Sequence, residues 1–305
     1  MEISNKLLIF FRYLRVKIKD IKMFKNLVKQ IPKFNVYYKN QLVKSLSSMT
    51  SDSPMKYNAC MKHPNEAVIF RQLVDNATYT YTYILADLKT REAVIIDPVY
   101  EKVERDVELI NQLELKLKYA LNTHVHADHI TGSGRLKNFV PNIKSMISEA
   151  SKAKADIHIK EGDKIQFGNE FLHVLATPGH TNGCLTYVSH TAKIAFTGDA
   201  LLIRGCGRTD FQQGSSDTLY DSIHDKILSL PDEYSVFPGH DYVGRTSSSI
   251  GEEKRFNPRL TQKKKEFIET MKNLNLVYPR LMDVAVPANL VCGIQEPSGD
   301  NKPEN

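Results

Sequence analysis

Apolar and polar positions alternate most plainly over residues 78–99, where TYTYTYILAD and EAVIIDPV are joined by LKTR. These two β-branched and aromatic runs predict adjacent strands with a short turn between them. In KVERDVELINQLEL the pattern changes, with Val103, Val107, Ile110 and Leu113 recurring at helical spacing. A short run, KYALNTH, then predicts a strand over 118–124. Downstream, FLHVLATPGH, CLTYVSH, KIAFTGD and YSVFPGH each pass from an apolar stretch into a polar turn, most of them with a glycine. TQKKKEFIETMKNLN predicts a helix over 261–275. Strands alternating with helices indicate an α/β chain whose strand ends present loops, the usual place for chemistry on a rigid scaffold.

Composition divides the chain further. The small polar stretch SLSSMTSDSP at 45–54 reads as a linker. Residues 1–55 form a basic N-terminal extension, 56–295 a catalytic domain, and 296–305 a polar tail expected to be disordered. Residues 1–50 hold eleven Lys and Arg against only Glu2 and Asp20, so the net charge of +6 leaves the rest slightly acidic. No basic cluster remains in the domain for a nucleic-acid partner. The leader is amphipathic and poor in acids, as in a mitochondrial transit peptide, and its apolar runs fall short of the about 20 residues that span a bilayer. The expected location is therefore the mitochondrial matrix, or the cytoplasm if the extension is not a transit segment or translation starts at Met23 or Met49. Cys60, Cys184, Cys206 and Cys292 form no CxxC pair, which argues against a disulfide scaffold and a thiolate zinc site.

The turns that end the strands carry the candidate chemistry. Five of them hold metal-type side chains: Asp97, the cluster His124, His126, Asp128 and His129, then His180, Asp199 and His240. On an extended segment His124 and His126 share a side, and the following turn can return Asp128 and His129 towards them. Mixed imidazole and carboxylate donors suit zinc, iron or manganese, whereas calcium takes oxygen alone. His63, His158, His173, His190 and His224 lack such a setting and read as ordinary surface or core residues, and Cys206 and Cys292 as small buried ones.

HxHxDH, PGHT, TGD and PGH, in this order, resemble the metallo-β-lactamase superfamily, whose fold is an αββα sandwich with a metal site at one edge. Within it, NTHVHADHITGSG, FTGDALLIRGCGRTDFQQGS, NPRL and VPANLVCG resemble the persulfide dioxygenases, the ethylmalonic encephalopathy protein family. The first 50 residues align with nothing in that family. The resemblance implies an Fe(II)-dependent oxidation of glutathione persulfide by O2, with one Fe2+ per chain held by His124, His180 and Asp199, and a homodimer.

The residues by themselves leave two arrangements open. A binuclear hydrolase would place His124, His126 and His180 on one ion and Asp128, His129 and His240 on another, bridged by Asp199, as in glyoxalase II thioesterases. The mononuclear dioxygenase leaves His126, Asp128, His129 and His240 to orient the ligands. Only 65 residues follow His240, few for the helical glutathione-holding domain of glyoxalase II, and GRTDFQQGS has the dioxygenase form. Arg208 is a candidate for a structural ion pair or for a substrate carboxylate, and Tyr242 for a hydrogen bond near the metal or for packing. A non-catalytic relative would have no need of the full donor set, and a nuclease of this fold would need an insertion between Asp199 and His240 that is absent.

Overall fold

Every residue of strand β2 (Thr80–Asp87) is buried, which requires packed layers on both faces of its sheet. The computed structural model describes residues 67–293. The expectations for the extension 1–55, the linker and the tail 296–305 fall outside these residues.

The first sheet holds β1 (Val68–Asp75), β2, β3 (Glu92–Ile96), β4 (Lys116–Leu121), β5 (Lys144–Ser148) and β6 (Ile157–Ile159), adjacent in that order. β1, β2 and β3 pair antiparallel and β3 to β6 parallel. Helix α1 (Val103–Gln112) makes the first parallel crossover, and the short α2 (Ser133–Leu136) lies in the second. The second sheet has the order β12 (Ser248–Ser249), β11 (Ser235–Pro238), β10 (Ile194–Gly198), β9 (Leu185–Ser189), β8 (Glu170–Ala176) and β7 (Lys164–Phe167). Each half of the described residues thus contributes one six-stranded sheet.

Alternation along β2 sorts its side chains between two cores. Tyr83 and Leu85 join Val94, Ile96, Leu172, Val174, Tyr187, Phe196 and Phe237 between the sheets. Ile84 and Ala86 face the other way, onto Val103 and Ile110 of α1. Beyond the second sheet, Val236 packs with Leu219 of α3 (Ser216–Ser222), Ile250 of α4 (Ile250–Phe256) and Phe267 of α5 (Lys264–Lys272). The layers run helix, sheet, sheet, helix, the αββα sandwich expected. Two hydroxyls in this core reach the edge where the histidines lie: Tyr187 Oη donates to Asn122 O at 2.7 Å and Tyr83 Oη to Pro238 O at 2.6 Å.

Candidate active site

Five strand ends converge on this edge. β3 leads to Asp97, β4 to the 124–129 loop, β8 to the turn bearing His180, β10 to Asp199 and β11 to His240. His124, His126, His129 and His240 are at most 1 % exposed, so their nitrogens must find partners inside the protein.

One atom of each of three side chains is tied down and the other left free. Thr123 Oγ1 donates its only proton to Asp97 Oδ2 at 2.8 Å, so it accepts from His124 Nδ1 at 3.0 Å, leaving His124 Nε2 with its lone pair. The Arg208 carbonyl can only accept, so His180 Nδ1 donates to it at 2.7 Å and Nε2 is likewise free. Asp199 Oδ1 accepts from His240 Nδ1 at 2.7 Å, and Oδ2 lies 3.7 Å from His180 Nε2. One ligand-type atom from each of His124, His180 and Asp199 stands within 4.8 Å of the other two.

A second group, His126, Asp128 and His129, meets the same distance criterion. His126 Nε2 contacts Asp97 Oδ1 at 3.1 Å, and Asp128 Oδ2 accepts from His129 Nδ1 and His240 Nε2, each at 2.8 Å. His126 Nδ1 and His129 Nε2 are buried without a hydrogen-bond partner. Orphaned imidazole nitrogens in a buried pocket are costly unless something with a vacant orbital meets them, which fits a metal centre.

The charges follow from the same contacts. Burial alone would raise the Asp199 carboxyl, but the His240, His124 and His180 rings hold it far below the ordinary carboxylate range. Burial likewise works against the low value of Asp128, and His240 and His129 outweigh it. His240 meets a carboxylate oxygen at each nitrogen; although burial opposes its charge, Asp128 and Asp199 hold it protonated well above the usual imidazole value. His124 moves the other way, pushed well below by burial and by His126 beside it.

The Arg208 guanidinium has its own partners in the fold. Its Nε and one terminal nitrogen form a two-pronged pair with Asp210, each at 2.7 Å, and its other terminal nitrogen donates to Val277 O at 2.8 Å. Tyr242 stacks on His240 with ring centroids 5.9 Å apart and planes 5° apart, and is 62 % exposed at the mouth. Burial pushes the Cys184 thiol up to about 12, so it is inert at neutral pH. Sequence reasoning missed Thr80, Thr123 and Asn289. Asn289, in helix α6 (Met282–Asn289), donates to the carbonyls of both His126 and His129 and accepts from Thr131 N.

Two stacked sheets with His and Asp donors gathered at the strand ends define a metal-dependent enzyme of the metallo-β-lactamase type. The model of the metallo-beta-lactamase superfamily matches residues 75–240. Persulfide dioxygenase ETHE1 of Mus musculus, a mitochondrial protein by name, is 56% identical over 230 residues, covering 75% of this chain and 91% of the relative. The crystal structure of ETHE1 from Myxococcus xanthus superposes with a TM-score of 0.72 at 49% identity, covering 74% of this chain and 100% of that one. The hydroxyacylglutathione hydrolase GloC of Haemophilus influenzae is more distant, at 35% identity over 194 residues, 57% of this chain and 89% of the relative. The chain belongs to the metallo-beta-lactamase superfamily and, within it, to the persulfide dioxygenase family. It is an oxidoreductase, and its His/Asp groups and family together imply a metal cofactor.

Proposed function

We propose that this protein oxidises the terminal sulfur of glutathione persulfide in the mitochondrial matrix, using one Fe(II) held by His124, His180 and Asp199. Glutathione persulfide, O2 and water give glutathione and sulfurous acid, which ionises to sulfite. The sulfur gives up four electrons and O2 takes them. The observation that carries this reading is the trio of free atoms, His124 Nε2, His180 Nε2 and one Asp199 oxygen, each left over when its partner atom is hydrogen-bonded. Two imidazoles and one carboxylate are the donor set of oxygen-activating Fe(II) sites; such an ion would supply the redox chemistry that zinc lacks, with open positions for substrate and O2.

The surrounding residues prepare the site before substrate arrives. Thr123 and the Arg208 carbonyl set the tautomers of the two histidines, so their lone pairs are presented without rearrangement. Protonated His240, held between Asp199 and Asp128, fixes the Asp199 carboxylate and places a positive charge beside it. The Tyr242 ring covers His240 and narrows the approach from solvent. Arg208, bound to Asp210, holds the loop that carries Asp199 rather than a substrate carboxylate. Among the described residues no helix is long and apolar enough to cross a membrane. The working unit in this reading is a homodimer.

Oxygen uptake by anaerobically purified protein given glutathione persulfide tests the reading, with iron and zinc measured on the same sample. His124→Ala, His180→Ala and Asp199→Ala should each abolish uptake and bind iron poorly. Hydrolysis of S-lactoylglutathione by the wild type without O2 consumption would replace the dioxygenase with a thioesterase.

A further inference from the structure

Thr80 opens β2 and is completely buried. Its backbone is fixed from both sides: it pairs with Asp75 of β1 and bridges His240, and the neighbouring Tyr81 N donates to Gly239 O at 2.8 Å. From this position Thr80 Oγ1 stands 3.0 Å from Asp128 Oδ2, 3.1 Å from His240 Nε2 and 3.3 Å from His129 Nδ1. Thr78 Oγ1 lies 2.8 Å behind it and also contacts Asp75 Oδ2 at 2.7 Å, so the hydroxyl is backed by a second hydroxyl anchored on a carboxylate.

Asp128, His129 and His240 are the side chains a second ion would need beside Asp199. Asp128 Oδ2, His240 Nε2 and the Nδ1 edge of His129 lie within hydrogen-bonding distance of one hydroxyl, and the same carboxylate oxygen serves Thr80, His129 and His240 together; His129 Nε2, on the far edge of its ring, has no hydrogen-bond partner. A second ion would have to displace that hydroxyl from Asp128 Oδ2 and His240 Nε2. The hydroxyl comes from a strand whose backbone is held by two neighbours, so it cannot retreat without unpairing the start of β2.

We propose that Thr80 restricts this site to a single metal ion, its hydroxyl holding Asp128, His129 and His240 as a hydrogen-bonded cluster in place of a second ion's ligand set. The inference rests on the mononuclear reading above and names the residue that enforces it. A buried hydroxyl is small enough to be exchanged for hydrogen, methyl or another hydroxyl, which separates its chemistry from its bulk.

Wild-type protein and the variants Thr80→Ala, Thr80→Val and Thr80→Ser, stripped of metal with a chelator, are titrated with Zn2+. Bound zinc is counted by elemental analysis after desalting, and binding is followed by calorimetry, so that no activity is needed. Wild type and Thr80→Ser should take up a single equivalent. Thr80→Ala and Thr80→Val should each take up two equivalents, twice the wild-type content. The near-isosteric valine keeps the test open if alanine loosens the strand. Single-equivalent binding by both Ala and Val variants would overturn the role of Thr80 and leave the mononuclear reading standing. A second equivalent in the wild type would overturn both.

Discussion

Gly207 shows how closely the donor loop is packed. A Cβ built there would stand 2.3 Å from the Asp199 carbonyl oxygen and 2.8 Å from the His180 ring. Gly207 N also donates to that same carbonyl at 2.7 Å, so the contact closes the loop between Asp199 and Arg208. Gly207→Ala must therefore move either Asp199 or His180. It should cost about 1–3 kcal/mol of stability through overpacking, and it should lower iron affinity more than it lowers Tm in the metal-free protein. Calorimetric unfolding with and without metal separates the two effects. At this scale the sequence singled out seven donors, His124, His126, Asp128, His129, His180, Asp199 and His240, because such residues announce themselves by type in strand-end turns; the choice of His124, His180 and Asp199 among them came from the family resemblance. It was silent about Thr80, Thr123 and Asn289. Their roles come from partners brought near by folding, such as His240, which is far along the chain from Thr80, and nothing local distinguishes such a threonine from any other in a strand.

The loop from Asp199 to Arg208 owes its shape to α4 and the turn after it. Asn257 is fully buried; its Nδ2 donates to Gly205 O at 3.0 Å and to Glu253 Oε2 at 2.8 Å, and its Oδ1 accepts from the backbone of Arg259 and Leu260. Arg204 N reaches the same Glu253 oxygen at 2.9 Å, and Arg259 donates to Cys206 O at 2.8 Å. Asn257→Ala removes one of two donors from the Gly205 carbonyl and from Glu253 Oε2, and takes the acceptor from the backbone N–H of Arg259 and of buried Leu260, a loss of about 1–3 kcal/mol. The variant should unfold at lower denaturant with an unchanged m-value, and should bind iron more weakly although it touches no proposed ligand. Strands with a clear apolar or alternating pattern, such as β2, β3 and β10, were legible. β1 was missed because Arg71 and Gln72 interrupt VIFRQLVD, which an edge strand tolerates since one side of it needs no partner strand. β5 to β7 are three to five residues long, too short for a period to register. α6 carries Pro287 inside MDVAVPAN, a residue that normally ends a helix, yet it persists there and delivers Asn289 beneath the histidine loop.

Stability against pH belongs to the whole molecule, because each ionisation is weighed between the folded and unfolded chain. Asp106 in α1 has no exposed surface; burial raises its carboxyl to about 6, Arg105 only partly offsets this, and one oxygen has no partner. In the unfolded chain an aspartate titrates near about 3.9. Below that value both states are protonated and nothing is lost. As the pH rises from about 4 to 6 the unfolded chain ionises first, so the folded state loses stability, on the order of 3 kcal/mol once the pH is above 6. Asp156 has the opposite sign: although burial would raise it, Lys137 and Ser145 hold it at about 2, so its contribution is present above about pH 4 and fades as the pH falls through 2. That pair is partly exposed and screened, which leaves it worth less than about 1 kcal/mol. The two windows do not overlap, so Asp106 can be isolated. Urea unfolding of metal-free wild type and Asp106→Asn at pH 4.5 and pH 7.5 should show the variant gaining about 2 kcal/mol relative to wild type between the two conditions. A difference that stays constant with pH would mean that Asp106 is ionised in the folded protein throughout, with Arg105 supplying the compensation that its geometry shows at only one oxygen.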